Sequence, residues 1–528
     1  MGMKNCLQVL LIAFLVVGCG VPASPTQPPV ASSTEIFSTL TATALPTMTE
    51  QLSTSTSAPL PTATSTPEPG LRTNGPYFAY FREVDNKYQL VMMDADGGGR
   101  KAITLPPEVA TFDVKYVSPD GKWLAFYTGS AGDFTQMPVL GAANLTLNLL
   151  NLTTGETQIV TPLLSKDYPN NFEEAARRLN NPDITAGSLY GAFVNGIINA
   201  FAWSPNGQYL AFAGQMDGLS SDLYVYDMTT KNIQRLSSGD EELQWIEWSP
   251  DGKWILQGST FEVGMGTLNN IYASSFDGIS VKYLVKASEM GEWLNPHAFV
   301  VHDNQNGLGN YEFRLIDINE GSVHKIWDGP VMSYGLNSNK NEFAVFAHLF
   351  GQSPYLSTDP DPDFVPGLYL INLKTFKATY LKTPNNDGMP YYVNPFGVGD
   401  NIFVFMASGV DQTSYLLSDT SNLSALDIKG IEVIKSSPDA SRWMVVADKT
   451  LEVYSSANEK MNSMVLPFPD LRDIQRATFV WQPDSSGLIL ISGTNIYFVN
   501  NVTGKTKLVE NNYLEAFLSH NYMWINSQ

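Results

Sequence analysis

Three carboxylates alternate with prolines at Asp359, Asp361 and Asp363, within the run S-T-D-P-D-P-D-F-V-P-G. Hard cations such as Ca²⁺ take six to eight oxygen ligands, and carboxylates supply charge as well as oxygen. The spacing is not that of an EF-hand loop, which needs Gly at its sixth position and Glu at its twelfth. A rigid, solvated Asp-Pro loop explains the same residues and is the reading preferred here. The five histidines are His297, His302, His324, His348 and His520, and none forms an H-x-x-x-H pair. A hydrolase built on a nucleophilic serine usually carries it in G-x-S-x-G, and the chain has no such pentapeptide. No phosphate-loop or dinucleotide fingerprint occurs. The glycine-rich D-G-G-G-R, Asp96 to Arg100, lies between two strand-like runs with no helix after it, so it reads as a hairpin turn. The only cysteines are Cys6 and Cys19, which leaves the bulk of the chain without a disulfide, a thiolate or a cysteine metal site. These residues assign no catalytic group and no cofactor.

The elements that would position such side chains repeat. F-A-W-S-P-N-G-Q-Y-L-A-F-A-G runs from Phe201 to Gly214. Related copies end at Gly129 (V-S-P-D-G-K-W-L-A-F), at Ser259 (W-S-P-D-G-K-W-I-L) and, in weaker form, at Ala447 and Ser492. Each is an apolar strand, a tight turn and a second apolar strand. Pro fixes φ for the turn, Asp or Asn follows, and Gly accepts φ > 0. A third strand such as D-L-Y-V-Y-D-M and a fourth such as I-Q-R-L-S complete an antiparallel meander. One meander cannot bury both of its faces, so neighbours must stack. Radial stacking of four-stranded meanders makes a β-propeller.

The pattern aromatic–S-P-[DN]-G-[KQ]-[WY]–apolar resembles the TolB-like propeller repeat, and so does L-V-M-M-D-A-D-G-G-G-R-K-A-I-T-L at Leu90 to Leu105. The Trp-Asp ending of WD40 blades is absent. The sialidase Asp-box is also absent, because Asp120 and Gly121 are adjacent. The resemblance implies an all-β fold and specifies no ligand. Among TolB-like proteins the oligogalacturonate lyases use lumen histidines and a divalent metal. By position in the chain His297, His302 and His348 are the candidates to approach the axis, against the preferred plain reading of scattered core and surface histidines.

The turn prolines set the period. Pro205 to Pro250 and Pro438 to Pro483 are each 45 residues apart, and Pro250 to Pro438 is 188, room for four units. This counts nine units, of which the one at 287–330 has the poorest first strand. The expectation is a single propeller of about eight four-stranded blades, with seven to nine compatible with the spacing. Pro119 to Pro205 is 86 residues, one blade plus an insertion at 161–199 that holds the helix-like N-F-E-E-A-A-R-R-L-N. Further long loops fall at Phe350 to Gly367 and Thr260 to Asn270. Insertions in repeat proteins emerge on one face, often the binding face. The apolar tail E-A-F-L-S-H-N-Y-M-W-I-N-S is expected to complete the first blade and close the ring, removing exposed edges.

Residues 1–18 read as a signal peptide, with Lys4 before a short apolar core that ends in V-V-G-C. This resembles a bacterial lipobox, which implies cleavage before Cys19 and lipid on its thiol. Residues 19–70 form a disordered, lipid-anchored linker: 29 of the 51 residues from 20 to 70 are Ser, Thr or Pro, too polar to bury a core. The propeller takes 71–528. A net charge of −21 argues against phosphate-backbone binding, so nucleic acid is not an expected partner. The expectation is a monomeric lipoprotein outside the cytoplasm, held to the cell membrane or envelope through Cys19. Its propeller binds or scaffolds a protein or glycan partner without catalysis. The alternative is a metal-dependent, lyase-like carbohydrate-active enzyme with its site in the lumen.

Overall fold

The structure, a computed structural model, describes residues 70–106, 116–128, 145–165, 197, 200–260, 269–347, 367–381, 392–467, 477–500, 505–513 and 522–525, short gaps within these ranges excepted. All of them lie in the unit Glu68–Gln528. Cys19, the linker, Asp359, Asp361, Asp363, His348, His520 and the helix-like run of the insertion lie outside the described residues.

The described residues form nine antiparallel sheets, eight of them four-stranded, in a β-propeller arrangement. In chain order, blade one holds Tyr77–Val84, Lys87–Asp94 and Arg100–Thr104, and blade two runs from Trp123 to Pro162. Blades three to nine span 201–235, 242–287, 289–330, 333–381, 392–426, 431–465 and 478–510. Blade two is the three-stranded sheet, and Val117 stands in for its first strand through a single bridge to Leu124. The unit at 287–330 is complete, because Glu289–Asn295 pairs with Ala298–Asn304 through a register broken in two places. The weak strand signal there is a bulged strand.

The ring closes as the tail pattern anticipates. Tyr522–Ile525 pairs antiparallel with Tyr77–Val84, placing Tyr77 opposite Ile525 and Tyr80 opposite Tyr522. Phe78 packs on Tyr522 and Trp524, with ring centroids 5.5 and 5.1 Å away. Its neighbours across the seam are Ile489, Ile491, Ile496 and Val509 of blade nine. At the same seam Glu510 is almost wholly buried and accepts from Tyr80 Oη (3.0 Å), Arg82 Nη1 (3.0 Å) and Arg100 Nη1 (3.4 Å).

Within a blade, the alternation of two buried faces makes the middle strands almost continuously apolar. Leu210, Ala211, Phe212 and Ala213 are fully buried, and so are Phe343, Ala344 and Val345 to within 1%. Between blades, indole donors bind backbone acceptors. Trp203 Nε1 reaches Tyr116 O (2.9 Å), Trp248 Nε1 reaches Ala202 O (3.0 Å) and Trp524 Nε1 reaches Trp481 O (2.9 Å). Farther out, Lys101 Nζ donates to Leu152 O (3.1 Å) and Lys282 Nζ to Ile318 O (2.9 Å), each crossing to the next blade.

The repeated turn explains its own residue choice. In S-P-D-G, Ser249 Oγ donates to Asp251 Oδ1 (2.8 Å) and accepts from Trp254 N (2.9 Å). Gly252, at φ +71°, donates its N–H to Ser249 O (2.9 Å). The copies at Ser118 and Ser204 make the same bonds. Ala440 and Ser485 hold the glycine conformation, at φ +58° and +60°, in the two weaker copies. Slight burial works against ionisation of Asp439. Hydrogen bonds from Ser485, Ser437 and Ser441 outweigh it and hold this carboxyl far below its ordinary 3.8. A depressed folded value adds stability above the ordinary pKa and loses it as pH falls through the folded one. Asp439→Asn is therefore expected to melt below the native protein at pH 6, with the gap closing as pH drops under 3.8. Melting curves from pH 6 to 2 check this, and a gap that stays constant with pH would count against it.

Candidate binding face

Strand polarity gives the propeller two unlike faces. In every complete blade the first-to-second and third-to-fourth connections leave one face, and the second-to-third and fourth-to-next-blade connections leave the other. The first face is built from tight turns that touch around the ring. A Cβ placed on Gly252 would meet Pro205 at 3.6 Å, one on Gly207 would meet Asp120 and Pro119 at 3.5–3.6 Å, and one on Gly121 would meet Ile525 at 2.6 Å. The strands that flank the insertion at 161–199 and the loops at 260–270 and 350–367 end on the side of the second face. In the connections of this loop-bearing face acidic residues outnumber basic ones.

The described histidines do not converge. His297 lies in the turn that opens Ala298–Asn304, on the tight-turn face, with Nδ1 2.8 Å from Asp317 Oδ2. His302 lies toward the other end of that strand, about 17 Å along at ~3.3 Å per residue. It is buried among Tyr311, Phe313 and Tyr334, and its Nε2 is 3.3 Å from Tyr334 Oη. His324 sits on an outer strand and stacks on Phe376 at 4.5 Å. Among the described residues no three His, Cys, Asp or Glu side chains gather in a group that could hold a metal ion.

A group of buried polar contacts toward the loop-bearing face joins blades three and four. Asp222 opens the strand Asp222–Asp227 and is buried; Arg235 Nη2 meets it at 2.5 Å and Ser237 Oγ at 3.3 Å. Burial still pushes its carboxyl above the ordinary value against the pull of Arg235. Across the seam, buried Glu242 accepts from Ser221 N (3.0 Å) and Ser221 Oγ (2.8 Å). Ser221 Oγ in turn accepts from Leu243 N (2.9 Å). Glu241 accepts from Asn270 Nδ2 (2.7 Å) and Tyr272 Oη (3.2 Å), and burial raises its pKa too. The Tyr272 hydroxyl, itself desolvated and beside Glu241, is pushed up to about 12. The root of the insertion joins this rim. Gln215 N donates to Leu163 O and Ser165 N to Gln215 O, both at 2.7 Å.

Sequence reasoning missed this rim because its residues are scattered over S-S-D-L at 220–223 and E-E-L at 241–243, with no shared motif. Acid at the strand starts Asp222 and Glu242 is no distinguishing signal, since Asp411 and Glu289 start the corresponding strands of other blades. Two turns of the repeated type were also missed. Ser275 to Gly278 makes the same bonds without proline, and Asn337 to Lys340 keeps two of them, Lys340 N to Asn337 O (2.9 Å) and Glu342 N to Asn337 Oδ1 (3.1 Å).

The chain is thus an all-β propeller, with nine sheets among the described residues, short turns on one side and the strand ends that lead into long connections on the other. Residues 185–285 match the family described as eukaryotic translation initiation factor eIF2A, a segment that covers blade three and most of blade four. Dipeptidyl-peptidase 5 of Aspergillus fumigatus is 30% identical over 172 residues, which are 31% of this chain and 20% of the peptidase. The chain thus matches only about a fifth of that relative's length. Similar solved structures include other propeller proteins. A eukaryotic initiation factor aligns with TM-score 0.48 and 12% identity over 85% of this chain and 97% of its own. TolB from Acinetobacter baumannii aligns with TM-score 0.26 and 19% identity over 57% of this chain and 62% of its own.

Proposed function

We propose that the chain is a membrane-anchored lipoprotein outside the cytoplasm, whose propeller is a non-catalytic binding or scaffolding module for a protein or glycan partner. The observation that carries this reading is the asymmetry of the faces. Rigid strands hold the ends of every long connection on one side, and the opposite side is a pavement of short turns. Binding residues are disproportionately placed on loops held by a rigid scaffold. A metal-dependent lyase site in the lumen draws no support from His297 and His302, which stand at opposite ends of one strand.

Photoreactive residues in the full chain test the reading in cells. Positions Glu83 and Ser238 report the loop-bearing face, and Thr154 and Thr230 report the turn face; all four are exposed. Crosslinks to a recurrent partner are expected from Glu83 and Ser238 only. Crosslinks at equal yield from both faces, or from the turn face alone, would overturn it.

A further inference from the structure

The glycine turn Asp94 to Arg100 does more than reverse the chain. Residues 70–72 lie across it. Arg72 N donates to Asp94 Oδ2 (3.1 Å), Arg72 Nε to the same oxygen (3.1 Å), and Arg72 Nη2 to Asp96 Oδ1 (2.5 Å) and Oδ2 (2.7 Å). Asp94 is fully buried and also accepts from Gly99 N (3.0 Å). A Cβ on Gly98 would lie 1.5 Å from Arg72 Nη2, and one on Gly99 would lie 2.4 Å from Gly70 O. Only glycines leave room for the incoming strand of chain here. This turn joins the third and fourth strands of blade one, so the seat lies on the turn face.

We infer that this seat fixes the exit of the linker on the turn face, so that the anchored propeller presents its loop-bearing face away from its own membrane. The partner class follows: a molecule lying beyond the anchoring bilayer rather than a protein embedded in it. The inference rests on the lipid-anchor reading above. On that reading a 52-residue tether reaches on average at least the roughly 40 Å of a random coil, and more where its prolines extend it. The membrane excludes the body of the propeller from the half-space beyond the exit point. The body therefore lies outward of its own exit on average, and strands of six residues set the two faces about 20 Å apart.

Beyond Cys6 and Cys19 the chain has no cysteine, so a single introduced thiol carries a donor dye cleanly on the lipidated full chain in vesicles with a headgroup acceptor. Thr154→Cys and Thr230→Cys label the turn face; Glu83→Cys and Ser238→Cys label the loop-bearing face. With faces about 20 Å apart, energy transfer from the turn-face labels is expected to be about two-fold the greater. Arg72→Ala, and Asp96→Ala, which removes only the exposed half of the clamp, are each expected to shrink that ratio while the propeller still melts cooperatively. Equal transfer from both faces, or the reverse order, overturns the orientation. Cys19→Ala protein that still floats with the vesicles instead overturns the anchor itself. The two failures are therefore separable.

Discussion

Glu510→Ala is expected to lower the unfolding free energy by about 3–5 kcal/mol, the cost of removing one partner from a buried charge network. The Glu510 carboxylate takes hydrogen bonds from Tyr80, Arg82 and Arg100, and the two guanidinium groups are only 11% and 15% exposed. Alanine takes away the carboxylate that two guanidinium groups share inside the seam between blades nine and one. Tyr80, whose hydroxyl is pushed well above its ordinary value by burial beside Glu510, loses its acceptor as well. Glu510→Gln keeps an acceptor oxygen and should cost less than alanine. The exposed pair Lys325–Asp328, 2.8 Å apart, is the control: Asp328→Ala should change stability by at most about 0.5 kcal/mol. Denaturant midpoints at unchanged m-value measure all three. A Glu510→Ala loss no larger than that of the control would show that the clasp does not hold the ring.

Cys19→Ala should move the whole chain from the membrane fraction to the soluble one. Lipid chains buried in a bilayer each contribute about 0.8 kcal/mol per CH₂, and stable anchoring takes more than one chain. Among the described residues no helix is long and apolar enough to cross a membrane. The expected result is loss of membrane association together with loss of labelling by a fatty-acid probe, while the melting temperature of the propeller is unchanged. Persistent membrane association of the Cys19→Ala chain would sink the lipoprotein reading and leave the fold untouched.

Much of the architecture could be read from a few residue types. Pro205, Asn206 and Gly207 each restrict or free the backbone in a way only one turn satisfies, so five copies sufficed to set strand pairs and period. The turns at Ser275 and Asn337 escaped because they keep most of the hydrogen bonds and drop the proline. The blade at 289–330 looked doubtful because its first strand is bulged, which breaks the alternation that marks a strand. Asp96–Arg100 was legible as a turn but not as a seat, since its glycines answer to Gly70 and Arg72 rather than to one another. The rim of Asp222, Arg235 and Glu242 was illegible for a related reason: its pairs span strands and blades, and no local spacing encodes them. The indole latches are harder still to anticipate, because their acceptors are backbone carbonyls that every residue carries.

The pairing of Tyr522–Ile525 with Tyr77–Val84 also sets an order of events for a chain that emerges amino end first. Blade one stays one strand short while the eight sheets after it are being made, because its missing strand lies more than 400 residues downstream. Contacts so distant in sequence form slowly. The hydrogen-bonding edge of Tyr77–Val84 and the faces of Phe78 and Tyr80 wait uncovered through that interval. A strand edge left open in this way is a template for mispairing. Chaperone demand and aggregation during folding should therefore concentrate on this one segment, and a peptide carrying N-Y-M-W-I-N should compete for it in refolding chains but not in the closed ring.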